Sequence, residues 1–222
     1  KRKQNGESND PDRAPCKWPP GMIPSGMAQP PDPHELYLHV RVLVGVVLGL
    51  GLTRILSGLA RMVEHPGRNP VSATHLLWVA VILLSIVHFW WWEFALISLG
   101  AWRFELFVFL LLYAFLWFVL ACLLFPGDLA EHDTYEAYFL SRRRWFFGLF
   151  AATFAADLID TAIKGADHFR ALGPEYPARI AAGIVLCAIA AWTGNRRFHL
   201  LFAALYLPYD LSWILRLYDT LG

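Results

Sequence analysis

The sequence predicts an all-α membrane protein, a polytopic helix bundle with about six transmembrane helices. Of its 222 residues, 57% are hydrophobic and only 17% are charged, whereas a soluble domain is about half apolar and a quarter charged. The apolar residues lie almost entirely after residue 36, in runs close to the roughly 20 residues that cross a bilayer. Because a backbone amide in lipid must be hydrogen-bonded within its own segment, we predict that these runs are helices.

Residues 1–36 form a polar N-terminal tail that contains eight of the fourteen prolines. A segment of this composition buries too little apolar surface to fold alone, and it lacks the apolar core of a signal peptide. We therefore predict a disordered or extended tail, followed by a six-helix transmembrane domain over residues 37–222.

Six apolar runs follow the tail. The third is the clearest, since no charged residue lies between Glu105 and Pro126, while the fourth and sixth contain acidic residues. Pro126-Gly127 is expected to end the third run, and Gly194-Asn195 to form a tight turn after the fifth. The predicted spans are 37–60, 75–95, 104–125, 145–164, 178–194 and 198–218.

The connector between the third and fourth spans, residues 126–144, contains four acidic residues followed by three arginines. Asp128 is placed to cap a short helix at the membrane surface that leads toward span four. This order of charges is more typical of a solvated surface than of a binding site.

The loop lengths suggest an arrangement in two halves. In each half a longer loop is followed by a shorter one, as a 3+3 inverted arrangement would give, an architecture that recurs in transporters. The halves share no similarity at the level of residues, and chance is the stronger explanation of the pattern.

The basic residues give a prediction of orientation. We call the side from which the chain enters span one side A and the opposite side side B. Short side-B loops carry seven arginines, so the positive-inside rule places side B in the cytoplasm. Counting the whole tail reverses this result. The cations assigned to side-A loops are Arg103, Lys164, Arg170 and Arg179.

Three titratable residues fall at one depth. His88 lies 13 residues into its span, and Asp157 and Asp210 lie 12 residues into theirs. All three spans start on side B, so each residue lies about 18–20 Å from that side at 1.5 Å per residue. Titratable groups inside a membrane helix are costly and usually face the bundle interior or a water-filled cavity.

Further ionisable residues extend this set. Asp160 shares a helix face with Asp157, Glu93 lies toward side A, and Arg54 lies in span one. One interpretation is a proton or cation pathway formed by His88, Asp157, Asp160, Asp210, Arg54 and Glu93. The alternative, weighed slightly higher, is a structural network in which arginine and carboxylates neutralise each other, for example through an Arg54–Asp157 pair.

Tryptophans gather near the ends of the spans. Amphipathic indoles are enriched at membrane–water interfaces, so we predict interfacial anchors rather than a ligand cage. The neighbouring Glu93 is expected to reach headgroup water, so that its charge need not be buried. The predicted anchors are Trp90, Trp91, Trp92, Trp102 and Trp145.

These observations favour a multi-pass integral membrane protein that conducts or transports protons or small ions. The alternative is a non-catalytic structural or accessory subunit of a larger membrane complex. An enzyme is less favoured, because no nucleophile or metal motif is present, and no catalytic residue, metal or cofactor is assigned. The expected partners are the lipid bilayer and other membrane subunits or further copies of the chain, not nucleic acid, given a net charge of +1. The composition resembles that of small bacterial inner-membrane proteins.

Overall fold

The computed structural model describes residues 32–65, 72–98, 102–126 and 134–219. Within these ranges the chain is helical, and six helices are long and apolar enough to cross a membrane. They correspond one to one with the six predicted spans, which confirms the all-α, multi-pass fold class. The 3+3 arrangement and the orientation stay predictions.

The helices follow the apolar runs with small shifts at their ends. A 3₁₀ helix, Glu93–Ser98, continues the second helix. In chain order the α-helices are α1 (Pro33–Glu64), α2 (Ala73–Trp92), α3 (Phe104–Leu124), α4 (Tyr135–Ser141), α5 (Arg143–Lys164), α6 (Ala166–Ala171), α7 (Glu175–Trp192) and α8 (Arg196–Asp219). The six membrane spans are α1, α2 with its 3₁₀ extension, α3, α5, α7 and α8.

Local chemistry explains several helix ends. α1 begins at Pro33, whose fixed φ suits the first helical position, so residues 33–36 are helical rather than part of an extended tail. Residues 1–31 of the predicted tail lie outside the described residues. α5 ends at Lys164, and the residue that follows and caps it is Gly165, whose φ of 111° is favoured only by glycine.

The connector contains the short helix that was predicted, α4, but its described cap is a different residue. Thr134 Oγ1 accepts a hydrogen bond from the Ala137 amide at 3.0 Å, which satisfies one of the free donors of the first turn. Asp128, the predicted cap, lies outside the described residues.

The helices pack in pairs that are not all neighbours in sequence. α1 packs mainly against α3, α5 against α7, α2 against α8, and α3 also against α5. α7 and α8 are joined by a short turn and yet contact each other little. The side-A ends of α2, α5, α7 and α8 therefore lie close together, with α7 packed on α5 and α8 packed on α2.

An aromatic layer fills the side-B half of the bundle. Trp78 of α2 is fully buried, and five phenylalanine rings from α4, α5 and α8 surround it at centroid distances of 5.0–6.2 Å. Most meet it edge to face, a favourable geometry for aromatic pairs. The rings are Phe139, Phe146, Phe147, Phe150 and Phe202.

Candidate functional site

The candidate site is built around Arg179, which α7 projects toward α5 and α8. Arg179 Nη1 donates to Asp210 Oδ1 at 2.8 Å, and its Nη2 lies 3.8 Å from Asp157 Oδ2. The arginine side chain is only 9% exposed. Three transmembrane helices thus contribute one guanidinium and two carboxylates to a single cluster, which has two acidic groups for one basic group.

Tyr176, one turn before Arg179, holds the second carboxylate. Its hydroxyl lies 3.2 Å from Asp157 Oδ2, 3.0 Å from the Asp157 carbonyl oxygen and 2.7 Å from Thr161 Oγ1. Residues three apart share a helix face, so the packing of α7 on α5 brings both Tyr176 and Arg179 to Asp157. Tyr176 is 1% exposed, so its hydrogen bond holds the Asp157 carboxylate in the bundle interior.

His88 of α2 shares a small cavity with this cluster. The cavity has a volume of about 40 Å³, and Asp157, Arg179 and Asp210 line it together with His88 and Ser85. That volume holds at least one water molecule. The buried Nε2 of His88 has no hydrogen-bond partner among the described residues.

Two other histidines of the spans, both of them buried, have structural roles. His75 Nε2 donates to the Leu124 carbonyl oxygen at 2.9 Å, and His199 Nε2 donates to the Thr193 carbonyl oxygen at 3.0 Å. Each therefore satisfies a carbonyl at the end of a helix, where such groups lack intrahelical partners. His88 differs, because it lines a cavity with charged residues and its Nε2 bonds none of the described residues.

A second cluster lies toward side A. Lys164 Nζ is 2.5 Å from Asp160 Oδ2 and 3.7 Å from Glu93 Oε1. It also donates to the Trp92 carbonyl oxygen at 3.3 Å. One ammonium thus faces two carboxylates, so this cluster also has two acidic groups for one basic group.

Trp92 connects the two clusters. Its indole lines the cavity that contains His88, and its Nε1 donates to Asp160 Oδ2 at 3.0 Å. Asp157 and Asp160 lie three residues apart on the same face of α5. The cavity cluster and the Lys164 cluster are therefore neighbours along one side of the bundle.

The structure brings together His88, Asp157 and Asp210 in one cavity, and it places Asp160 and Glu93 in the adjacent cluster. Arg54 is not brought to them. Its guanidinium lies near Cys122 on α3, and its Nε has no hydrogen-bond partner among the described residues. The predicted Arg54–Asp157 pair is therefore not formed, and Arg179 takes that position.

Glu93 and Trp92 differ from their predicted environments. Glu93 is 8% exposed and Trp92 is 9% exposed, whereas headgroup contact was expected for both. The physical reason is Lys164, which reaches back from the end of α5 to both residues, while Asp160 accepts from the indole.

The other predicted anchors lie nearer the surface. Trp90, Trp91 and Trp145 are 38%, 56% and 69% exposed. Trp102 is half-buried against Tyr37, with ring centroids 6.1 Å apart. The anchoring role of these residues stays a prediction.

Arg179 and Tyr176 are the main residues that the sequence analysis missed. Arg179 is only the second residue of the predicted span 178–194, and it was counted among the side-A loop cations. α7 begins at Glu175, which places Arg179 a full turn inside the helix. Pro177 is the signal that could have shown this, since proline is tolerated in the first turn of a helix.

His168 lies outside the spans, on α6, next to the second cluster. Its ring is 5.2 Å from the Trp92 ring. Burial lowers the pKa of His168 below its usual 6.5, the positive charge of Lys164 lowers it further, and Asp160 opposes both effects. The site therefore favours the neutral imidazole more than water does.

The described residues contain no group of three histidine, cysteine, aspartate or glutamate side chains that could hold a metal ion. No protein-family model matches the chain, and comparisons with curated proteins and with solved structures found no match. The function is therefore argued from the geometry of the site.

Proposed function

We propose that this multi-pass membrane protein moves protons across the membrane, alone or in exchange for a small cation, through the cavity of His88, Asp157, Arg179 and Asp210. The observation that carries the proposal is that the cavity lining has more carboxylates than cations and also a histidine nitrogen without a hydrogen-bond partner among the described residues. The cavity holds one guanidinium, two carboxylates and an unpartnered His88 Nε2. Binding of a proton to this set would make it neutral.

The energetic argument rests on the cost of buried charge. An uncompensated carboxylate inside a low-dielectric bundle is strongly unfavourable. A network with equal numbers of cations and carboxylates would be neutral without a proton, whereas each cluster here needs one bound proton to become neutral. Both the cavity cluster and the Lys164 cluster hold two carboxylates for one cation.

The position of the second cluster suggests a route toward side A. Trp92 borders the cavity and contacts Asp160, and Lys164 continues from Asp160 to Glu93. A proton released from the cavity would therefore meet a carboxylate within the same side of the bundle. In the opposite direction the aromatic layer around Trp78 closes the way to side B, so transfer to that side requires this layer to open or to admit water.

The test is proton flux into liposomes that contain the purified chain, followed with an internal pH-sensitive dye under an imposed potential and with Na⁺ or K⁺ gradients. We expect flux with the wild type and a loss of roughly tenfold or more for Asp157→Asn and His88→Gln. His39→Gln is the matched control, since His39 is exposed and bonds only a carbonyl of its own helix. Flux no greater than that of empty liposomes under all gradients would show the proposal to be wrong.

A specific observation also favours the second candidate, an accessory subunit of a membrane complex. Arg54 is half-buried in a span, and its Nε has no partner among the described residues. A carboxylate on another subunit, or on a second copy, would complete it. Extraction in native lipid particles followed by mass measurement tests this candidate, and a particle holding one copy alone would contradict it.

A further inference from the structure

A second, larger cavity lies between α7 and α8. It is a groove of about 560 Å³, open along one side. It exists because α7 packs mainly on α5 and α8 mainly on α2, so the two helices contact each other little. Both are membrane spans by length and composition, so the open side faces the lipid.

Small residues on α7 form one wall of the groove. Ala178, Ala182 and Gly183 line it, and Gly183 has the Phe154 ring directly behind it. The opposite wall includes Leu201 and Leu205 of α8, which are 60% and 69% exposed. Most of the groove is therefore apolar, with polar residues only at the end near Glu175.

The dimensions suit a hydrocarbon chain. The lining residues of α7 run from Glu175 to Leu186, which corresponds to about 16 Å at 1.5 Å per residue. The volume is within the range of small-molecule sites.

The polar end of the groove offers an unused hydrogen-bond donor. Arg179 lines the groove, and its buried Nε has no partner among the described residues. Glu175 is already occupied, since Tyr209 and both terminal nitrogens of Arg216 donate to it at 2.7–3.1 Å. A ligand oxygen is thus the group that this end of the groove lacks.

The charges at this end select among ligand oxygens. Arg179 and Arg216 face three carboxylates, those of Asp157, Glu175 and Asp210. With three carboxylates for two guanidiniums, a further carboxylate or a phosphate on the ligand is disfavoured. An ammonium group would fit the charge, but it has no acceptor for Arg179 Nε. A neutral hydroxyl or carbonyl oxygen satisfies both conditions.

We propose that the groove binds a neutral amphiphile with a single hydrocarbon chain, whose hydroxyl or carbonyl oxygen accepts a hydrogen bond from Arg179. The chain of the ligand lies between α7 and α8 along Ala182 and Leu205. This site goes beyond the proton cavity and does not depend on it, although Arg179 lines both.

Photolabelling tests the proposal with a long-chain alcohol that carries a diazirine in its chain. The full-length protein is labelled in phosphatidylcholine nanodiscs, and the labelled peptides are identified by mass spectrometry. We expect labelling concentrated on α7 and α8, with competition by unlabelled hexadecanol. The matched diazirine acid and diazirine amine should label roughly tenfold less, the acid because its negative charge lies beside three carboxylates and the amine because its ammonium group offers Arg179 no acceptor.

Two neighbouring alanines provide matched variants. Ala182→Phe fills the groove and should abolish the labelling, whereas Ala181→Phe, at an exposed position outside the groove lining, should leave it unchanged. Equal labelling of both variants would overturn the proposal. So would equal labelling of α1 and α3, preference for the acid or the amine, or photocrosslinks that join two copies through the groove.

The outcome is separable from that of the flux assay. Labelling of a wild-type protein that shows no proton flux would support the groove and refute the proton pathway. Flux without groove-specific labelling would refute the groove alone.

Discussion

Arg179 of α7 and Asp210 of α8 form a nearly buried ion pair, with Nη1 and Oδ1 2.8 Å apart and the side chains 9% and 4% exposed. The pair joins two helices that otherwise contact each other little. Because Arg179 also lies 3.8 Å from Asp157, one side chain ties α5, α7 and α8 together. It is the only cation among the residues that line the cavity.

Replacing Arg179 should therefore destabilise the bundle strongly. Arg179→Met leaves two carboxylates without a cation, and removing one partner of a buried pair costs about 3 kcal/mol or more. We expect a loss of that size in the free energy of unfolding, measured by titrating the protein in mixed micelles with a denaturing detergent.

Arg216→Met is the control for this variant. Arg216 also pairs with a carboxylate of α7, Glu175, at 2.7 Å, but its side chain is 54% exposed. Exposed pairs contribute about 1 kcal/mol or less, so this variant should stay close to the wild type. Equal losses for the two variants would contradict a central role for Arg179.

Gly183 and Gly148 should respond in opposite ways to alanine. A Cβ at Gly183 would lie 2.6 Å from the Phe154 ring, whereas a Cβ at Gly148 meets nothing within 4 Å. Gly183→Ala forces the ring to move and should cost about 1–3 kcal/mol. Gly148→Ala should stabilise by roughly 0.5–1 kcal/mol, because alanine loses less backbone entropy in a helix.

Thermal unfolding of the two variants in the same detergent, followed by tryptophan fluorescence, checks this prediction. The sign of the difference is the decisive result. If Gly183→Ala unfolds at the wild-type temperature or above it, α7 does not pack on α5 as closely as the structure shows.

The sequence was sufficient for the helices and for part of the site. Apolar run length alone located the six spans, and counting residues placed His88, Asp157 and Asp210 at one depth. Depth does not fix the direction of a side chain around its helix, so it could not separate Asp160 from Asp157. It also could not exclude Arg54, whose helix packs on α3 rather than on α5.

The partners of the charged residues depend on packing between distant segments. Lys164 reaches Trp92 and Glu93 across about 70 positions in sequence, and no local pattern encodes that contact. Arg179 was missed for a simpler reason. With the helix start predicted three residues late, Arg179 was the second residue of its span and was counted as a loop cation, whereas α7 begins at Glu175 and buries it. Helix ends are the least certain part of any assignment from sequence.

Trp92 and Trp91 should differ although they are adjacent. Trp92→Phe keeps an aromatic ring but removes one of two donors to Asp160 Oδ2, the other being Lys164, and a hydrogen bond to a charged group contributes about 1.5–3 kcal/mol. We expect Trp92→Phe to lower both the free energy of unfolding and the proton flux. Trp91→Phe changes a side chain that is 56% exposed and should affect neither property; equal effects would show that the indole donor has no special role.

His168 should make the stability of the side-A end depend on pH. Burial and the charge of Lys164 lower the pKa of His168 in the folded protein below its usual value of 6.5. The unfolded state therefore binds the proton more readily, so the contribution of this residue to stability is present above about pH 6.5 and falls as the pH drops below it. We expect the wild type to unfold at lower temperature at pH 5 than at pH 7.5, and His168→Gln to lose part of that difference. His65→Gln provides the control, since His65 is exposed and, among the described residues, its side chain bonds only the neighbouring Glu64 carbonyl oxygen. A wild-type and a His168→Gln protein with the same change between the two pH values would contradict the prediction.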